Sequence, residues 1–317
     1  MADQQTLHAA TVVRLDARGC LVRLDEPIEG LPADGYELWC GVRGRIHLRD
    51  RRHQKSPVAV GDRVNVVHTQ EDRGAVESIE PRRSSLSRPS IRKGRVEHVM
   101  AANVDRVVIV SALDDPPFNP GLVDRLLAVI EFSNLDAMLV VNKMDLGEGA
   151  PPELAVYEAL GVPVLLTSAT TGQGIDAFRD ALVGRTSVVA GHSGVGKSSL
   201  LNAVQPRLGL EVGDVNAVTG RGKHTTTAAV WIPLEQGGAV IDTAGVREFG
   251  LYGIPKRDLP WLFKDIAEIA QGCRYPDCSH THEPECAVQE ALLDGELAPF
   301  RFDSYLKILE SLDEPHA

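Results

Sequence analysis

No apolar run in the 317-residue chain approaches the roughly 20 residues that a membrane-spanning helix needs. The first residues, Met1-Ala2-Asp3-Gln4-Gln5, lack the basic and apolar regions of a secretory signal. Both absences set the expectation of a cytoplasmic protein without a membrane partner. No coiled-coil heptad or self-association segment is visible, so a monomer is expected. Cysteine is scarce and uneven: Cys20 and Cys40 stand alone, whereas Cys273, Cys278 and Cys286 crowd together with histidines. In a reducing compartment such crowding points to a metal rather than to disulfides. What is present, 43% hydrophobic residues over this length, suffices for two or three domains with cores of their own.

The net charge of -11 would by itself argue against a nucleic-acid partner, but it is unevenly spread. Between Gly41 and Arg95 there are 14 Lys and Arg against 6 Asp and Glu, a local +8 that leaves -19 on the rest. A basic docking surface on an acidic protein has this signature.

Residues 9 to 25 alternate apolar and polar around the turn Asp16-Ala17-Arg18-Gly19, which reads as a hairpin. Glu37 to Leu48, Val60 to Val67 and Gly74 to Glu80 continue the pattern of short strands broken by Gly, Pro and Asp. About five strands in about 80 residues predict a small antiparallel barrel, either an OB-fold with a nucleic-acid face or an SH3-like barrel. Arg43, Arg45, Arg49, Arg51, Arg52 and Lys55 gather in one inter-strand segment, where they suit phosphate contacts. Pro81 to Val96 contains no acid and six basic residues, and reads as a linker.

From Asn103 onward strands and helices alternate: Val107 to Val110, Gly121 to Phe132, Ala137 to Val141, Pro152 to Leu160, Val162 to Leu166, Ile175 to Val183 and Ser187 to Ala190. Such alternation predicts a parallel sheet covered by helices, with ligands bound beyond the carboxyl ends of the strands. The last strand runs into Gly191-His192-Ser193-Gly194-Val195-Gly196-Lys197-Ser198 and then the helix opening at Ser199. This is G-x-x-x-x-G-K-S between strand and helix. Backbone N–H groups cradle phosphates there, Lys197 reaches the terminal phosphates and the Ser198 hydroxyl takes a Mg²⁺ position.

Asn142-Lys143-Met144-Asp145 ends another strand, and Thr167-Ser168-Ala169 ends a third. A carboxylate at Asp145 can accept from the N1–H and exocyclic amine of guanine, a pattern adenine does not offer, while the Asn142 amide can meet the other edge of the base. A site built on such bonds rejects the base that leaves them unmade.

These motifs resemble those of GTPases in an unusual order: Asn142, Ser168, Gly191, then Thr225-Thr226-Thr227, then Asp242-Thr243-Ala244-Gly245. The ordinary order begins with the phosphate loop, so the chain reads as circularly permuted. With the basic barrel in front and the Cys/His cluster behind, it resembles the RsgA (YjeQ) family of small-ribosomal-subunit-dependent GTPases from about residue 8 to residue 312. The resemblance implies an α/β fold: a circularly permuted P-loop GTPase domain over 101–256, with an N-terminal OB-fold β-barrel over 1–82. A basic linker over 83–100 and a helical zinc-binding domain over 257–317 complete the organisation. Asn142 to Asp145, Ser168, Ala169, Gly191 to Ser199, Thr226, Asp242 and Gly245 are the expected GTP and Mg²⁺ contacts. Asp242 holds the metal's shell, Thr226 closes it from the other side, and the Gly245 N–H meets the γ-phosphate.

After Gly245 a water-orienting glutamine would be usual, but Val246 has no side-chain hydrogen-bonding group, so intrinsic hydrolysis is expected to be slow. The resemblance makes His224 the candidate that positions water, beside Lys197 on the phosphates. Ala244, where the family commonly has Pro, and Val246, where it has a larger apolar residue, depart from the pattern.

Cys273-x₄-Cys278-x-His280-x₅-Cys286 offers three thiolates and an imidazole, a closed set for one structural Zn²⁺. His282 competes with His280, and the family pattern favours His280. Helices are expected over Leu259 to Ala270 and Ala287 to Leu293, with a tail from Phe302 to Leu312. The implied function is GTP hydrolysis to GDP, stimulated by the small subunit and its 16S rRNA during late maturation and promoting release. A nucleotide-gated RNA-binding scaffold and a small-molecule P-loop kinase are the alternatives, and Asn142 with Asp145 argues against the kinase.

Overall fold

Alternating inward positions Ala10, Val12, Cys20, Val22, Leu24, Leu38, Cys40, Val64, Val66 and Val76 make one continuous apolar core out of five short strands. They come from a computed structural model that describes residues 6–16, 19–29, 31, 36–42, 57–89, 97–210, 229–243 and 254–312. In chain order the strands are β1 (Leu7–Leu15), β2 (Cys20–Leu24), β3 (Glu37–Val42), β4 (Arg63–Gln70), β5 (Arg73–Ile79), β6 (Ser85–Pro89) and β7 (Glu97–Ala102). Then come β8 (Arg106–Ala112), helix α1 (Pro120–Phe132), β9 (Asp136–Asn142), α2 (Leu154–Ala159), β10 (Val164–Leu166), α3 (Ile175–Leu182) and β11 (Thr186–Ala190). Helix α4 (Lys197–Val204), β12 (Ala229–Pro233), β13 (Ala239–Thr243), α5 (Lys264–Ala270), α6 (Ala287–Leu293) and α7 (Pro299–Ser311) follow.

The described residues group into two compact units. The first lies within Met1–Arg106, Leu182–Val189 and Asn216–Gly245, and the second within Val107–Ala181, Ala190–Val215 and Val246–Ala317.

In the first unit, β1 pairs with both β2 and β4, and the order β1-β2-β3-β5-β4 closes on itself, with β3 and β5 parallel. This closed Greek-key order is that of the OB-fold and decides between the two barrels the periodicity allowed. The predicted hairpin is present, its turn held by the Gly19 N–H on Asp16 Oδ1 at 2.9 Å. Arg43, Arg45, Arg49, Arg51, Arg52 and Lys55 lie outside the described residues.

The basic segment read as a linker departs from that reading in part. Ser85–Pro89 is strand β6, paired antiparallel with β7, and Leu86 is fully buried. Composition averages over the segment, whereas a strand needs only alternate residues to face a core. At its start Arg82 makes two bonds to the buried Asp62 carboxylate, at 2.6 and 2.8 Å, and Asp62 also accepts from the Ala59 N–H at 2.7 Å. Strand β11 pairs in parallel with β13, whereas β13 with β12 and β12 with β1 pair antiparallel.

In the second unit β9 lies between β8 and β10, and β9 and β10 run parallel. All-apolar Met138 to Val141 and Val107 to Val110 are buried, as expected of strands covered on both faces. Helix α1 is capped by the Asn119 side chain on the Leu122 N–H and opens with Pro120 at its first turn. The helix expected over Leu259 to Ala270 is broken. Lys256–Leu262 is a 3₁₀ helix containing Pro260, Phe263 is extended, and α5 starts at Lys264. Proline has no N–H to continue an α-helical ladder through that point. Helix α6 matches its predicted range, and α7 begins three residues earlier than the predicted tail, with Pro299 at its first turn.

Candidate functional site

The phosphate loop joins β11 to α4 through two glycines whose places no other residue fits. Gly191 has φ +150°, and a Cβ there would lie 2.0 Å from the Val110 carbonyl oxygen. Gly196 has φ +90°, and its Cβ would lie 2.4 Å from Asn142 Nδ2. With Gly196 as N-cap, no side chain caps α4, so its first amides are left to an anion. Lys197 Nζ donates to the carbonyls of Gly191 at 2.9 Å and His192 at 2.7 Å, which holds the ammonium inside the ring of the loop.

Asn142, at the end of β9 and 2% exposed, ties three loops together. Its Nδ2 donates to the Val195 carbonyl at 2.9 Å, and its Oδ1 accepts from the Ala169 N–H at 3.2 Å and from Thr167 Oγ1 at 3.4 Å. Its side chain braces the phosphate loop against the Ser168-Ala169 loop, and Nδ2 has one further hydrogen for a ligand. Ser168 donates from Oγ to Asp145 Oδ1 at 2.5 Å while accepting from the Thr171 N–H at 3.1 Å, so the hydroxyl orients the carboxylate expected to read the base. Lys143, in the left-handed region at φ 60°, donates to the Asp115 carbonyl and faces its carboxylate at 3.5 Å. The Met144 N–H donates to the Thr167 carbonyl at 3.1 Å. Thr167 was named with its strand-end motif but given no role, and Asp115 was missed by sequence reasoning because it belongs to no spaced motif.

His192, Ser193, Gly194, Val195, Ser198 and Ser199 lie in the loop and first turn as predicted, with Val195 and Ser198 buried. Asp242, in the first unit, is half-buried on β13 in register with Val189 of β11, two residues before Gly191. His224, Thr226 and Gly245, together with Ala244 and Val246, lie outside the described residues.

Comparison with known proteins identifies the family. The RsgA GTPase family profile matches residues 79–252. The chain belongs to the RsgA GTPase family. Membership makes it a GTP hydrolase. Two relatives of the family, each called small ribosomal subunit biogenesis GTPase RsgA, come from Chlorobaculum parvum and Porphyromonas gingivalis. The first is 43% identical over 81% of this chain and 86% of its own, the second 39% identical over 87% and 91%. Among solved structures, YjeQ from Thermotoga maritima superposes with TM-score 0.73 at 31% identity, covering 98% of this chain and all of its own. YloQ, described as a circularly permuted GTPase, superposes with TM-score 0.70 at 28% identity, covering 100% and 99%. The motif order of the family is thus the order read here.

The second cluster lies between α5 and α6. The ligand atoms of Cys273, Cys278, His280 and Cys286 all lie within 4.8 Å of one another. His280 Nδ1 is 3.6 Å from Cys273 Sγ and 3.5 Å from Cys286 Sγ, and those two sulfurs are 3.9 Å apart. Tetrahedral zinc with sulfurs at about 2.3 Å requires edges of about 3.8 Å, so the donor set fits that ion in size and softness. His282 is exposed, its Nδ1 2.8 Å from Thr281 Oγ1, which resolves the competition in favour of His280. Burial pushes the Cys278 thiol up to about 12 and lowers His280, in each case because an apolar surround disfavours the charged form.

The cluster is seated on α7: the Tyr305 hydroxyl donates to the Ser279 carbonyl at 2.9 Å, and its ring packs on His280 and Phe263. From the same helix the buried Arg301 reaches Asp265 with two bonds of 2.8 Å and Asp124 of α1 with one of 2.6 Å. No helix of the described residues is long and apolar enough to cross a membrane.

Proposed function

We propose that this protein is a GTPase of small-ribosomal-subunit biogenesis, whose turnover is stimulated by the subunit and drives release. The observation that carries the reading is the Asn142 bond to Val195. It couples the loop that holds phosphates to the loop pair that reads guanine, so base recognition and phosphate positioning share one braced unit. The relatives' shared designation supports the ribosomal role.

Roles follow from chemistry. Asp145 accepts from the guanine N1–H and amine, steered by Ser168, while Lys143 and Met144 line the base side and Ala169 anchors the loop behind it. The amides of Gly191 to Ser199 and the Lys197 ammonium hold the phosphates and offset charge that develops on them. Ser198, Asp242 and Thr226 are the residues that would hold Mg²⁺. That ion supplies charge neutralisation at the phosphate oxygens. Gly245 donates to the γ-phosphate, and His224 orients the attacking water in place of the missing glutamine. Cys273, Cys278, His280 and Cys286 would hold one structural Zn²⁺, whose binding free energy becomes folding free energy of the C-terminal segment. The OB barrel and the basic segment meet 16S rRNA, and the protein works in the cytoplasm as a monomer. The working divisions are 1–82, 83–100, 101–256 and 257–317.

GTP turnover with and without purified small subunits, at low and moderate salt and with ATP as control, tests the proposal. A strong, salt-sensitive, GTP-specific stimulation that His224→Ala abolishes is the expected result. Unchanged turnover despite tight binding would make the protein a scaffold, and no binding would remove the ribosomal role. Asp145→Asn is expected to weaken GTP and GDP by about 10²-fold or more, since a donor then faces guanine donors. Titration with a fluorescent guanine nucleotide checks this, and wild-type affinity would remove Asp145 from base recognition.

A further inference from the structure

The loop between Cys278 and Cys286 contains a carboxylate that no motif above assigns. One oxygen of Glu283 accepts from the Ser279 N–H at 2.8 Å and from Ser279 Oγ at 2.6 Å. The other accepts from the Thr281 N–H at 3.1 Å and the His282 N–H at 3.2 Å. The donors bracket His280 on both sides. His280 itself has φ +61°, in the left-handed region, which costs a residue with a Cβ about 1–2 kcal/mol.

The carbonyls of the same turn are held as well. Ser279 O accepts from the Tyr305 hydroxyl, and His280 O accepts from Gln289 Nε2 at 3.1 Å. The backbone is thereby committed to the one conformation that sends the His280 ring inward, 2% exposed, with Nδ1 rather than Nε2 facing the Cys273 and Cys286 sulfurs. Without an acceptor for the Thr281 and His282 amides, the two carbonyl bonds alone oppose the strain of the left-handed turn, which relaxes toward φ below zero and carries the imidazole away from the sulfurs.

We infer that Glu283 is a positioning residue for the metal centre: its two oxygens clamp the Ser279–His282 turn and so present His280 Nδ1 as the fourth ligand beside three cysteines. The inference rests on the reading of the cluster as a zinc site. A carboxylate is the side chain suited to this task, because it offers acceptors at both ends of a short fork. Glutamine keeps one acceptor oxygen but sets an NH₂ against two N–H donors. The clamp differs from the common arrangement in which a carboxylate accepts from the ligating imidazole itself; here it acts on the backbone that carries the ring.

The test uses the full chain as wild type, Glu283→Gln, Glu283→Ala and, as a control for charge near the cluster, Glu285→Gln. Glu285 is exposed and pairs with Arg274. Metal content, the rate of zinc transfer to a chromogenic chelator, the visible absorption of the Co²⁺-substituted protein and the far-UV circular dichroism are measured. Wild type and Glu285→Gln are expected to hold one zinc per chain and to release it slowly. Both Glu283 variants are expected to release it about 10- to 100-fold faster, Ala more than Gln, the range seen when a supporting residue of a metal site is lost. Their Co²⁺ bands shift as the imidazole leaves the shell, with circular dichroism unchanged. Wild-type release rates and Co²⁺ bands in both variants would overturn the clamp while leaving the zinc site standing. A wild-type protein that holds no metal would overturn the zinc reading and the clamp with it. Lost circular dichroism in the isosteric Gln variant would assign Glu283 to global folding instead.

Discussion

Arg301→Ala is expected to destabilise the second unit by about 3–5 kcal/mol, the largest stability loss among single substitutions considered, because it strands a buried charge. Arg301 is 3% exposed and Asp124 is fully buried. Its guanidinium binds Asp265 with two nitrogens and Asp124 with the third, and lies 4.6 Å over the Phe263 ring. Tyr157 adds a 2.9 Å bond to the same Asp124 oxygen. The network spans α1, α2, α5 and α7, so its loss separates the helices that seat the Cys/His cluster from the helices packed beside β9 and β10.

The pH dependence has a definite sign. Burial raises the Asp124 carboxyl above its ordinary value, and Arg301 opposes that shift. Without Arg301 the folded carboxyl rises further, so the folded state binds a proton more tightly than the unfolded state. The deficit of the variant is then fullest above the folded pKa and shrinks as the pH falls through it toward the ordinary carboxylate value. Urea unfolding of both proteins across that range checks the size and the slope. A loss under about 1 kcal/mol, or one that grows on acidification, would show that water or another cation compensates.

Gly196→Ala is expected to weaken both GTP and GDP by about 30- to 150-fold, from about 1–2 kcal/mol of left-handed strain and about 1 kcal/mol for a broken hydrogen bond. The new methyl would sit 2.4 Å from Asn142 Nδ2, displacing the amide that braces Val195 and the Ala169 loop. Gly209→Ala is the control. It has φ +57° but nothing within 4 Å of the added carbon, so it bears the strain without the collision. Calorimetric titration with GDP should find affinity lost at position 196 and kept at position 209. Equal affinities in both variants would mean the three-loop brace does not govern binding.

The contrast between these two sites marks where legibility ends. Gly196 and Lys197 are readable because a phosphate loop is a contiguous device: its glycines, lysine and serine act within one turn of chain. Cys273, Cys278, His280 and Cys286 are readable for the same reason, since short spacings bring four donors to one point whatever surrounds them. Arg301 and Asp124 are 177 positions apart, and nothing in either local sequence names the other. Strand β6 was hidden by the charge of its segment, because composition does not record that Leu86 alternates inward opposite Ala101. Glu283 stood in view between two ligands, but its role depends on backbone amides, which every residue has, and on a left-handed turn that spacing does not reveal.

By itself the sequence carried the motifs: N-K-x-D at Asn142 to Asp145, G-x-x-x-x-G-K-S at Gly191 to Ser198, three cysteines and a histidine at metal-site spacing, and the permuted order in which they occur. Those properties reside in side-chain donors and acceptors and in their short spacings, which folding does not alter. The tertiary structure decided the barrel's closed strand order and the Asn142 brace across three loops. It also decided the choice of His280 over His282 and the buried Arg301 network. Each of these joins groups distant in the chain or depends on which face of an element is turned inward. Such pairings gain their free energy only when burial brings them together, so no local stretch of sequence records them.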